Sequence, residues 1–220
     1  GDPKAMAKVA ILDPELTLSQ PPRVTACTGI DAIAHAVETA VTRKRNETSL
    51  KYSGEAFRLL VGSFGRVIDE PNDTQARGEL LLGAAFAGTA IEHSMLGAAH
   101  SAANPLTARY DVSHGQAVGM LLPHVVRFNG EEDAIAEIYA NLFEAGNVPS
   151  PNGTASPELL AEYLEALLDA TGLSRSLVSF GVEEAKLEML SDEARDIIAS
   201  IANHPEETQA FNAIASKFAN

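Results

Sequence analysis

One run of residues in this chain reads as a β-strand, and it has nothing to pair with. Lys8-Val9-Ala10-Ile11-Leu12 is short, β-prone and stopped by Asp13-Pro14. Beyond it the apolar residues recur at three- and four-residue spacing, the pattern of helices with one buried face. A strand without partners leaves its backbone N–H and C=O groups unsatisfied. The chain is therefore expected to be mainly α, an all-helical, bundle-like domain over residues 21–220 preceded by one short N-terminal strand. Residues 1–20 read as that strand and a linker, the strand joining a sheet supplied from outside this chain.

The helices can be bounded from their ends. Pro21-Pro22 opens one that runs to about Val41, since proline is tolerated in a first turn. A second spans Thr48 to Ile68 and stops at Asp69-Glu70-Pro71-Asn72. Asp73 is a good N-cap for a third, which carries Leu80, Leu81, Ala84 and Ala87 at helical spacing and fades between His93 and Gly97. Ala98 to Ala103 predicts a short piece broken before Pro105, because the residue before a proline is driven out of the helical region. Further helices are expected over Ser113–Phe128, kinked at Pro123, over Glu131–Ala145, and from the Ser156-Pro157-Glu158 start to Thr171-Gly172. Asn147 to Ser156 is a loop, and two amphipathic helices close the chain, Glu183–Ile201 and Pro205–Phe218.

Alanine and leucine dominate, aromatics are sparse and tryptophan is absent, which suits helices packed closely through small side chains. A chain of 220 residues has room for one good core or two small ones. The net charge of −14 argues against a nucleic-acid surface, which needs clustered lysine and arginine. Arg43-Lys44-Arg45 is too short for such a surface and reads as a cap on a helix C-terminus. The lone Cys27 rules out an internal disulfide, fits a reducing compartment and reads as a small core residue. No stretch is long and apolar enough to cross a bilayer, and no secretory signal follows Gly1-Asp2-Pro3-Lys4. The expected location is the cytoplasm, and the expected partners are small molecules rather than membranes or nucleic acids. The oligomeric state stays open.

Four polar residues stand out against this apolar background. Asp31 and His35 lie four apart in Thr28-Gly29-Ile30-Asp31-Ala32-Ile33-Ala34-His35, one turn apart on one helix face. Buried charge is costly unless paired or coordinated. His100 sits among Gly97, Ala98, Ala99, Ala102 and Ala103, and His114 stands at a helix start beside Gly115. Imidazole nitrogen and carboxylate oxygen suit zinc or ferrous iron, so the four together predict one divalent-metal site. Structural zinc sites favour cysteine, and a His/Asp set is more typical of sites with a position open to water or substrate. Spacing does not choose between iron and zinc. His93 and His124 are offset from the ligand faces, and His204 precedes Pro205 at a helix start. Read from residue types alone, a helical metal-dependent hydrolase and a non-catalytic module with structural histidines also remain open.

The ordered motifs narrow this. Asp13-Pro14-Glu15-Leu16-Thr17, the Thr28–Glu38 segment, Gly97-Ala98-Ala99-His100-Ser101-Ala102-Ala103-Asn104-Pro105-Leu106, Ser113-His114-Gly115 and Leu121-Leu122-Pro123-His124-Val125 resemble the iron-containing (group III) alcohol dehydrogenase family. The resemblance is to the C-terminal, all-helical half of its members. It implies Asp31, His35, His100 and His114 as ligands to Fe2+ or Zn2+, and interconversion of alcohols and aldehydes with NAD or NADP. It also implies a nucleotide-binding α/β domain that nothing here matches, so the chain reads as cut from a larger enzyme, or as one whose first domain was lost, and as inactive by itself. Members often carry a second histidine four residues after the one matching His100; here that position is Asn104, which does not titrate. Maleylacetate reductases in the family lack the full ligand set, so the intact quartet points to the metal-dependent branch. Catalytic and dinucleotide-contacting residues are not assigned.

Overall fold

The structure, a computed structural model, describes residues 7–149 and 155–202. Eight α-helices are present among them: α1 Pro22–Val41, α2 Glu47–Asp69, α3 Thr74–Glu92, α4 Ala98–Tyr110, α5 His114–Asn129, α6 Asp133–Ala145, α7 Pro157–Ala170 and α8 Leu187–Ala202. The expected helix over Pro205–Phe218, with His204 before it, lies outside the described residues, as do residues 150–154 of the expected loop.

Local chemistry sets most of the boundaries. Asn46 and Ser49 form a reciprocal capping box at the start of α2. Asp73 accepts from the Ala76 N–H at the start of α3, and Ser156 accepts from the Leu159 N–H ahead of Pro157 in α7. Arg45 donates to the carbonyls of Val41 and Thr42, so the basic cluster does close the C-terminus of α1.

Two expectations need correction. Residues 8–12 form no strand, and no strand occurs among the described residues. Val9 and Ile11 are exposed there, so β-propensity had no neighbouring strand to act on. The chain instead makes a 3-10 turn at Pro14–Thr17, capped by Asp13 and tied to α3 where Arg77 donates to the Thr17 carbonyl. The second correction is α4, which runs through Pro105 to Tyr110 instead of breaking before it. Proline removes one backbone hydrogen bond. Burial of Pro105 and Leu106, with packing of α4 against α5 and α8, outweighs that loss.

α1 is the hub. It packs against α2, α3, α5 and α6, and the residues it buries lie on every side of it from Thr25 to Ala40. A helix buried on every side belongs in an interior. Small side chains let its neighbours approach closely. A Cβ at Gly29 would lie 2.3 Å from the Phe64 ring, and one at Gly119 would lie 2.6 Å from Ile30. Cys27 is part of this core.

Candidate metal centre

α1 carries Asp31 and His35 into the interior on one face. α4 and α5 bring His100 and His114 to the same face. The link between α4 and α5 is short because Asp111 ends α4 in the left-handed region (φ 53°), where aspartate is tolerated, and Ser113 already precedes the first turn of α5. His114 is therefore the first residue of α5. It reaches α1 only because Gly115, next to it, lets the two backbones touch: a Cβ there would lie 2.0 Å from the Cys27 carbonyl oxygen.

One donor atom from each of Asp31, His100 and His114 falls within 4.8 Å of the others. Nε2 of His100 is 3.3 Å and Nε2 of His114 is 3.7 Å from Oδ1 of Asp31. His35 stands at the edge of this trio, its Nε2 3.7 Å from the other Asp31 oxygen and its ring stacked on His100 with centroids 4.7 Å apart. Donors about 2.1 Å from one ion stand roughly 3.4 Å apart in a tetrahedron, so the separations of Asp31, His100 and His114 suit a single cation, whereas His35 falls outside that group. Oδ1 of Asp31 and Nε2 of His100 are buried without a hydrogen-bond partner. Two facing polar atoms so placed are costly unless a proton on His100 or a cation lies between them. The residues present therefore fit a divalent transition metal.

The centre is deep on one side and open on the other. The His100 side chain is 6% exposed and that of His114 is 41%. Burial tends to raise the Asp31 carboxyl, but the imidazoles of His100, His35 and His114 around it hold it below the ordinary carboxylate range. Burial opposes charge on His100, yet the Asp31 and Glu38 carboxylates on its two sides push it up to about 9. Burial dominates at His35 and lowers its imidazole despite Asp31 beside it.

Sequence reading assigned no role to Glu38, although it belongs to the quoted motif. It lies seven residues after Asp31 and three after His35, on the same face of α1, which was the available signal. Its carboxylate sits 2.6 Å from Nδ1 of His100 and accepts the backbone N–H groups of Gly97 and Ala99. Those donors outweigh burial and hold the Glu38 carboxyl below its usual range. The other histidines lie elsewhere. His93 stacks on Tyr52, and His124 is not among the converging donors. Asn104 is exposed on α4, one turn beyond His100.

Residues 25–214 match the family described as Fe-containing alcohol dehydrogenase family, C-terminal. The chain is 35% identical over 191 residues to long-chain-alcohol dehydrogenase 1 of Geobacillus thermodenitrificans (strain NG80-2), covering 86% of this chain and 48% of that protein. It is 33% identical over 178 residues to maleylacetate reductase 2 of Cupriavidus pinatubonensis, covering 81% and 47%. Among solved structures, a 1,3-propanediol oxidoreductase superposes with a TM-score of 0.80 at 28% identity, over 94% of this chain and 54% of that one. The chain thus spans about half the length of the relatives it matches.

Proposed function

Because the chain belongs to the Fe-containing alcohol dehydrogenase family and carries its C-terminal helical part, we propose that it forms the metal-binding half of an NAD(P)-dependent alcohol dehydrogenase that interconverts alcohols and aldehydes. Asp31, His35, His100 and His114 are the proposed ligands to Fe2+ or Zn2+. The observation that carries this reading is the facing pair of buried, unpartnered atoms, Oδ1 of Asp31 and Nε2 of His100.

A divalent cation held there supplies Lewis acidity toward an alcohol or carbonyl oxygen. The protein's own part is placement and charge. Three neutral imidazoles and one carboxylate leave the centre net positive toward an oxygen-bearing substrate. The exposed edge at His114 marks the side from which substrate arrives. Asn104, one turn from His100, does not titrate, so it relays no proton, although its amide is able to hydrogen-bond substrate or water. The nicotinamide dinucleotide belongs to an α/β domain outside residues 1–220, and these residues alone are expected to lack dehydrogenase turnover. The quartet of ligands supports the metal-dependent branch over the maleylacetate reductase one.

Elemental analysis and calorimetric titration with zinc test the proposal. One equivalent of bound metal, lost in Asp31→Asn, is the expected result. A wild-type protein that binds none would remove the proposal's basis.

A further inference from the structure

Glu38 stands outside the ligand set, yet it is a carboxylate only 2% exposed in the wall of the centre. One of its oxygens meets Nδ1 of His100 at 2.6 Å and the Gly97 N–H at 3.0 Å; the other accepts the Ala99 N–H at 2.7 Å. α4 has no capping side chain of its own, because its N-cap is Gly97. Glu38 therefore caps α4 from another helix. Gly97 makes the approach possible: a Cβ there would lie 2.8 Å from the Glu38 carboxylate.

An ionised carboxylate only accepts, so the ring nitrogen facing it must be the donor. In a neutral imidazole this places the proton on Nδ1 and the lone pair on Nε2. Nε2 is the atom that faces Asp31 without a hydrogen-bond partner. We propose that Glu38 is a positioning residue. By accepting Nδ1–H it fixes the orientation and tautomer of His100 so that Nε2 is the metal donor, and by capping α4 it ties that choice to the seating of the helix. The inference rests on the metal reading of the centre and deepens it.

Glu38→Gln tests it with almost no change of shape. Three donors converge on this side chain, and an amide offers a single oxygen. An NH2 group turned toward the ring makes Nδ1 an acceptor and moves the proton to Nε2, where it blocks coordination. An NH2 group turned the other way keeps the oxygen on Nδ1 and the Gly97 N–H but confronts the Ala99 N–H, so that the amide loses the α4 cap to hold the ring. Zinc affinity is expected to fall about 10- to 100-fold, the usual cost of losing a hydrogen bond that orients a ligand. Nitrogen-15 NMR of the zinc-loaded wild-type protein is expected to show His100 protonated at Nδ1 and coordinated through Nε2, a result that stands even if the variant folds poorly. A residue that merely caps α4 would lower helix stability in the variant and leave both zinc affinity and the NMR signature unmoved. Unchanged zinc affinity in Glu38→Gln, or coordination of wild-type His100 through Nδ1, overturns the positioning role while leaving the metal reading intact. A wild-type protein that binds no zinc overturns both.

Discussion

Gly115→Ala probes whether the centre depends on the closeness of α1 and α5. The new Cβ would lie 2.0 Å from the Cys27 carbonyl oxygen, 2.7 Å from its carbonyl carbon and 3.1 Å from Cβ of Asp31. The first two are backbone atoms of a buried helix, which cannot turn aside as a side-chain tip can. Restoring even a 3.0 Å contact takes a separation of about 1 Å, several times the ±0.2 Å tolerance of metal–ligand distances. The overpacking itself costs about 1–3 kcal/mol, offset by at most about 1 kcal/mol from alanine's better helix propensity. Two readouts follow. Urea unfolding of the metal-free variant should show a net loss of up to about 2 kcal/mol, and zinc affinity should fall by a factor on the order of 100 as His114 moves off Asp31. Gly88→Ala is the control. Nothing lies within 4 Å of a Cβ there, so it should leave zinc binding alone and stabilise α3 by up to about 1 kcal/mol. A Gly115→Ala protein with wild-type zinc affinity and stability would refute the argument that this contact sets the centre.

Other expectations follow from the same geometry. In metal-free protein His100 holds its proton up to about pH 9, while the unfolded chain releases it near 6.5. Its contribution is therefore complete below pH 6.5 and is lost as pH rises through 9, amounting to about 3 kcal/mol. Urea unfolding in chelator at about pH 6 and pH 9.5 measures it, and equal stability at both would contradict the assignment. Asp31 and Glu38, held below their usual range, act in the opposite sense, their contribution being present at neutral pH and lost on acidification. His114→Ala should abolish tight zinc binding while His93→Ala leaves it unchanged, since His93 stacks on Tyr52 away from the centre; calorimetry with both variants checks this. Asn46→Ala removes the capping box and the bond to the His93 carbonyl, and should cost about 1 kcal/mol in thermal unfolding without altering zinc affinity.

Much of the fold was legible because helix limits are local events. Asp73 and Ser156 satisfy N–H groups two or three residues away, and an extended apolar face shows in any short window of sequence, whereas the Asn46 cap of α2 went unread. Asp31 and His35 were legible as a pair for the same reason, since spacing alone puts them one turn apart. Failures arose where a distant contact outweighed the local preference. Val9 and Ile11 had the propensity for a strand and no neighbour to pair with, and Pro105 was expected to end a helix that burial against α5 and α8 carries five residues further. Glu38 drew no notice because its partners, Gly97, Ala99 and His100, lie some sixty residues away along the chain.

The amino-acid order by itself determined a helical chain, its caps and a candidate set of metal donors. Tertiary packing decided that Asp31, His100 and His114 share one centre, that the centre opens beside His114, and that Glu38 stands behind His100. The physical reason is one of range. Backbone conformation answers to neighbours within a turn, whereas the meeting of α1, α4 and α5 depends on glycines at 97 and 115 that let separate helices come into contact.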